Sequence, residues 1–186
     1  MDIVFAIGAA GEEANIVYNK NKEIMSTFIE ANKIPNTMYS VVNYGTKAVV
    51  HSKFGEDKDC AALQETVEGL QRAGEGKALD KALEQSLNIL EHQGRHGACK
   101  RLIVFANGHS GANQNHLKKY ATALEDANVK VVTVAVGNEI NEEELRNINP
   151  NEETIVKVDP LQDAESAVFA VARQVQGNWM KNCEVK

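Results

Sequence analysis

Two rhythms alternate along the chain. Short runs dense in Val, Ile, Leu and Phe, about five to eight residues long, read as buried strands. Between them, apolar residues return every third or fourth position, the period of a helix with one apolar stripe. The runs place strands at Ile3 to Ile7, Thr37 to Tyr44, Lys47 to Lys53, Arg101 to Ala106, Val129 to Val136 and Ile155 to Val158. The helical stripes are Ile24, Phe28 and Ile29; Leu63, Val67 and Leu70; Leu79, Leu83, Leu87 and Leu90; Leu117, Ala121 and Leu124; and Val168, Val171, Val175 and Trp179. Asn141 followed three residues later by Glu144 reads as a capping box, so a short helix should run from there to about Ile148, before Pro150 stops it.

This alternation predicts an α/β fold, a doubly wound and mainly parallel six-stranded sheet with helices on both faces. Only Gly45 and Thr46 separate the second and third strands. That is too short for a crossover, so these two should form an antiparallel hairpin at the sheet edge. With no repeat, low-complexity tract or linker in between, residues 1–186 are expected to form one domain. The first strand begins almost at Met1, which fits either the start of a cytosolic protein or a piece of a larger multidomain chain.

Composition narrows the possible partners. The chain has 186 residues, 43% hydrophobic and 25% charged, enough for one good core. Lys and Arg number 20 against 26 Asp and Glu, with no long run of one sign, so neither a nucleic-acid stripe nor a polybasic membrane anchor is indicated. No apolar run approaches the roughly 20 residues needed to span a bilayer, and no signal segment opens the chain.

In a doubly wound sheet, ligands bind beyond the carboxyl ends of the parallel strands, so the loops after Ile7, Ala106 and Val136 carry the candidate chemistry. A dinucleotide site would need G-x-G-x-x-G and an acid roughly 20 residues later. Gly8 and Gly11 miss that spacing, and the second strand runs directly into a hairpin. His109 and Ser110 are adjacent, but no G-x-S-x-G elbow precedes a helix and no acid is placed to orient the His. The pairs Glu12-Glu13 and Glu152-Glu153 and the run Glu142-Glu143-Glu144 read as helix-start charges on a solvent face. His92, His96 and Cys99 make an H-x3-H-x2-C array with no evident fourth ligand, which reads as a solvated loop. His51 and His116 read as solvated or capping. An enzyme is not expected.

Four segments in order resemble the von Willebrand factor A domain family. Asp2 to Glu12, "DIVFAIGAAGE", lines up without a gap against the family's D-I-V-F-L-I-D-G-S-G-S. Further on, "GEGKALDKALE" resembles G-x-G-T-x-L-x-x-A-L, "LIVFANGHS" resembles L-I-V-L-T-D-G-x-S, and "VTVAVGNEINEEELRNI" resembles I-x-A-I-G-V-G followed by an E-L-x-x-I helix. The resemblance implies strand order 3-2-1-4-5-6 with the third strand antiparallel. It also implies a metal-ion-dependent adhesion site, where oxygen ligands on three loops hold a divalent cation that accepts a partner's carboxylate. Here Gly8 stands for the first-loop Asp, Ala10 and Glu12 for its two Ser, Lys77 for the Thr and Asn107 for the third-loop Asp. Every ligand position has changed. No Mg²⁺ is therefore expected, and Lys77 is expected to pair with Glu12 in its place. The Gly8-to-Gly11 turn reads as the erased first loop, or as small residues that merely let the turn pack closely.

The resemblance further implies a non-catalytic interaction domain of an extracellular matrix or adhesion protein, needing no cofactor and inserting into no membrane. Its partner would be a protein, with collagen or another A domain as candidates, met by Glu12, Lys77, Asn107, His109 and Asn138. An intracellular scaffold domain in a multisubunit complex is the second reading, and a nucleotide-dependent enzyme at the Gly8 turn the third. On the implied topology the third strand ends and the fourth begins at the same edge, so Cys60 and Cys99 are expected to form a disulfide in an oxidising compartment; two thiols in a cytosolic protein are the alternative. Cys183 is free or paired outside this segment.

Overall fold

A computed structural model describes residues 1–31, 37–57 and 59–176. Its strands are β1 (Asp2–Ile7), β2 (Met38–Tyr44), β3 (Ala48–Ser52), β4 (Lys100–Phe105), β5 (Val129–Val136) and β6 (Ile155–Val158). The helices are α1 (Ala14–Ala31), α2 (Cys60–Gly69), α3 (Leu79–His92), α4 (Gln114–Asp126), α5 (Glu142–Ile148) and α6 (Ala164–Gln176). The sheet runs β3-β2-β1-β4-β5-β6, parallel throughout except for the antiparallel β2–β3 edge pair. The order is as the family resemblance implies, and the hairpin is as the two-residue Gly45-Thr46 link predicts. Trp179 and Cys183 lie outside the described residues.

The central strand explains the apolar runs. All six residues of β1 are buried, because β2 and β4 flank it and helices cover both faces. Side chains alternate across the sheet, so Ile3, Phe5 and Ile7 join the core under α1, α2 and α6, while Val4 and Ala6 join the core under α3 and α4. Phe5 meets Phe28 edge-on, with ring centroids 5.8 Å apart at 81°, and stacks on Tyr39.

The starts of α2, α4 and α5 are capped by side-chain oxygens that satisfy orphan amides, whereas Ala78 before α3 makes no such bond. Asp59 accepts from the Ala62 N–H at 2.9 Å, and Asn113 accepts from the Asn115 and His116 amides. Asn141 accepts from the Glu144 N–H at 3.3 Å, as expected, but the other half of the predicted box is missing. The Asn141 N–H donates to the Asn107 carbonyl, and the Glu144 carboxylate turns inward, 5% exposed. Glu144 is therefore not part of a solvent face.

A charge at the opposite end of the sheet escaped the sequence reading. Asp2 is fully buried at the start of β1. Its Oδ1 accepts from Arg95 Nε at 2.8 Å and Nη2 at 2.6 Å, and its Oδ2 accepts from the Arg95 N–H at 2.6 Å. The fork ties the turn after α3 to the head of the central strand.

The expected Cys60–Cys99 disulfide is not formed: Cys60 is a free thiol. Cys60 opens α2 and packs on the core beside Tyr39 of β2, whereas Cys99 leads into β4, and β1 lies between those strands. Two strand spacings, about 10 Å, exceed the roughly 4.4–6.8 Å that a disulfide spans between Cα atoms. Sharing an end of the sheet does not bring residues together laterally.

Arg95→Ala should cost about 2–4 kcal/mol, because it leaves the buried Asp2 carboxylate without its ionic partner. Urea denaturation of the variant checks this; a loss below about 0.5 kcal/mol would show that the pair is dispensable.

Candidate functional site

The carboxyl ends of β1, β4 and β5 and the tip of the β2–β3 hairpin meet in a layer of closely packed loops. Tyr44, the last residue of β2, organises it. Its ring is fully buried, and its hydroxyl donates to the Phe105 carbonyl on β4 at 2.5 Å. Since β1 lies between β2 and β4, the ring crosses over the end of β1. There it occupies the space beside Gly8, where a Cβ would come within 2.4–2.6 Å of three ring atoms. Gly76 packs on the Ala9 carbonyl, where a Cβ would sit 2.7 Å away, and its φ of +70° suits glycine. Small residues here are required by close approach.

Polar anchors hold the same layer from α1. Asn21 Nδ2 donates to the Gly8 carbonyl at 2.9 Å, and Tyr18 donates to Asn43 Oδ1 at 3.0 Å. Burial pushes the Tyr18 phenol up to about 12, although the Asn43 bond works in the other direction. Burial raises Tyr44 further, with the nearby Glu144 charge adding to it.

Four of the five expected interface residues gather around one cavity of about 140 Å³. Glu12, Asn107, His109 and Asn138 line it, joined by Glu13 and Glu139. Asn107 is 8% exposed, and its Nδ2 donates to the Ala10 carbonyl at 3.0 Å, tying the β4 loop to the β1 loop. His109 Nε2 lies 3.2 Å from the Glu139 carbonyl and so must donate to it. The hydroxyl of Ser110 donates to Glu144 Oε1 at 2.7 Å, and its N–H donates to the same oxygen at 3.0 Å. Glu144 therefore holds Ser110, and among the described residues no hydrogen bond couples Ser110 to His109 as a nucleophile to its base.

Lys77 is not at the cavity. Its ammonium pairs with Glu75 instead of Glu12, and both side chains are exposed. The Gly76 turn carries the chain over Ala9 and leaves residue 77 outside, two positions from a carboxylate it reaches without crossing the loop. The array in the α3–β4 loop is also separate: His92 ends α3, with Nδ1 3.0 Å from the Asn88 carbonyl.

The chain matches the family model for the von Willebrand factor type A domain over residues 2–169. It belongs to that family. The mouse (Mus musculus) integrin alpha-M is 26% identical over 148 residues, which is 78% of this chain and 13% of the integrin. Chicken (Gallus gallus) collagen alpha-1(VI) chain is 23% identical over 128 residues, 67% of this chain and 13% of that one. The A domain thus spans about an eighth of the length of these relatives. Among solved structures, proximal thread matrix protein 1 of the mussel byssus superposes with a TM-score of 0.77 at 20% identity, covering 98% of this chain and 46% of that one. A second structure of that mussel protein, described as having a zinc-occupied metal-ion-dependent adhesion site motif, gives a TM-score of 0.77 at 19% identity over 94% of this chain and 45% of that one. The A-type domain from Catenulispora acidiphila gives 0.76 at 20% identity over 93% of this chain and 42% of that one.

A hard divalent cation asks for about six oxygens. Gly8 and Ala10 bring no side-chain oxygen, Tyr44 fills the space a side chain at position 8 would use, and Lys77 faces away. Among the described residues, no three His, Cys, Asp or Glu could hold a metal ion. The sequence reading found most of the cavity but missed Glu13, Glu139 and Tyr44. The first two had a signal in their position on the same loops; Tyr44 had none, because its partner Phe105 lies 61 residues away.

Gly8→Ala should destabilise the domain by about 1–3 kcal/mol through collision with the Tyr44 ring. The cost should shrink by about 1 kcal/mol or more in a Tyr44→Leu background, and a denaturation cycle with strictly additive changes would contradict the overlap. Tyr18, Tyr39 and Tyr44 all titrate above a free phenol's about 10. Below about pH 10 these phenols stay protonated in both folded and unfolded states; above it the unfolded chain gains by ionising, so stability should fall as pH rises through about 12. Ionisation of more than one of the four tyrosines near pH 10 in the folded protein, read by tyrosinate absorbance, would contradict this, since Tyr120 lies at the surface.

Proposed function

We propose that this A domain is a non-catalytic protein–protein interaction module that meets its partner through the carboxyl-end loops without a bridging metal. The observation that carries the reading is the cavity ringed by Glu12, Asn107, His109 and Asn138, at the place where the fold family would hold its cation. Lys77 is exposed outside the cavity, its charge balanced by Glu75, and is not counted among the contacts. The partner's contacts are hydrogen bonds and packing on a rigid surface, since Tyr44 and the glycine contacts leave the loops little room to shift.

An extracellular matrix or adhesion setting, with collagen or another A domain as partner, draws its support from relatives that include an integrin, a collagen chain and a matrix protein. The free Cys60 lends that setting no support; a scaffold domain inside the cell is the second reading.

Surface plasmon resonance over immobilised collagens, laminin and A domains, in Mg²⁺ and then in EDTA, tests the proposal. Affinity should agree within about twofold in the two buffers, and Glu12→Lys should weaken it. A tenfold loss in EDTA would overturn metal-free binding. Failure to bind any matrix protein would move the scaffold reading ahead.

A further inference from the structure

We infer that the cavity at the carboxyl ends of β1, β4 and β5 receives a basic side chain of the partner, a lysine ammonium or an arginine guanidinium. This rests on the interaction reading above. The polarity is opposite to that of a metal-bearing A domain, in which the cation takes up a carboxylate.

Charge is the first argument. Glu12, Glu13 and Glu139 are among the residues that line the cavity, and no lysine or arginine is. Lys77, the cation the sequence places at this face, is paired with Glu75 outside the cavity. The start of α1 would on its own favour an anion, with about half a positive charge. Glu12 and Glu13 stand immediately before that helix and outweigh it.

Hydrogen-bonding capacity is the second. Asn107 is more than nine-tenths buried, and because its Nδ2 must donate to the Ala10 carbonyl, the amide orientation is set. Its Oδ1 accepts from no group among the described residues and is left to the cavity that Asn107 lines. His109 spends its Nε2 proton on the Glu139 carbonyl. The groups turned toward a ligand are thus mainly acceptors, which a carboxylate cannot satisfy and an ammonium or guanidinium can.

Size and shape are the third. At about 140 Å³ the cavity is well below the roughly 300–1,000 Å³ of a small-molecule site and suits one side-chain head group. Val17 and Ala10 provide an apolar wall for the methylene stem of such a side chain.

The test is an NMR titration of the ¹⁵N-labelled chain with three blocked tripeptides, acetyl-Gly-Lys-Gly-amide and its norleucine and glutamate counterparts. The lysine peptide should give saturable shifts at Gly11, Glu12, Asn138, Glu139 and the Asn107 side-chain amide. The norleucine and glutamate peptides should bind at least tenfold more weakly. A Glu12→Gln, Glu13→Gln, Glu139→Gln variant changes only exposed positions and should lose tenfold or more in lysine-peptide affinity while keeping its melting temperature. Asn107→Asp, which adds an anion at the same oxygen, should bind the lysine peptide more tightly. Equal binding of norleucine, preference for glutamate, no saturable shift, or a triple variant that binds unchanged would each overturn the inference. Matrix binding without lysine-peptide shifts would overturn it and leave the interaction reading standing. Lysine-peptide shifts without binding to any protein surface would uphold the cavity's preference and count against the interaction reading.

Discussion

The loop face is organised around the hydrogen bond from the Tyr44 hydroxyl to the Phe105 carbonyl. It reaches from β2 to β4 across the strand between them, so the ring sits like a bar over the end of β1. The loops beneath and beside it have to be small. Gly8 lies against the ring, Gly76 against Ala9, and Gly108 against the Asn141 carbonyl, where a Cβ would come within 2.3 Å. What remains open is the shallow hollow on the far side of the β1 loop, walled by the loops after β4 and β5. Its shape follows from what the bar excludes.

The fold was almost wholly legible in the sequence, since each strand's apolar run and each helix's stripe answer to burial between two layers. Strand ends agree within one residue wherever the covering helices make the pattern clear, as in Ile155 to Val158. The site was legible in part. Glu12, Asn107, His109 and Asn138 could be placed together because topology alone brings the ends of β1, β4 and β5 to one face. Side-chain direction could not be read: Lys77 leaves the cavity because Gly76 adopts φ of +70°, and Glu144 turns inward because Ser110 offers two donors. The Cys60–Cys99 pairing failed for a related reason. Topology assigns an end of the sheet, and distance across the strands is a separate coordinate.

The two ends of the sheet treat negative charge differently. At the amino end, Asp2 is buried, and Arg95 supplies a fork of two donors plus its own backbone N–H. That arrangement fixes structure and leaves the acid with no capacity for a ligand. At the carboxyl end, Glu144 is similarly absorbed by Ser110 and Gln114, but Glu12, Glu13 and Glu139 stay at the surface. Carboxylates that are exposed and close together repel one another modestly in water and are relieved by an arriving cation.

Positions 8 and 44 cannot vary independently. A lineage that acquired an aspartate at position 8 while Tyr44 was in place would pass through a protein with two groups in one volume. Shrinking Tyr44 first would open the space, but would also remove the bar that joins β2 to β4. Either change meets a collision or a lost hydrogen bond, so one buried ring limits which side chains position 8 can carry.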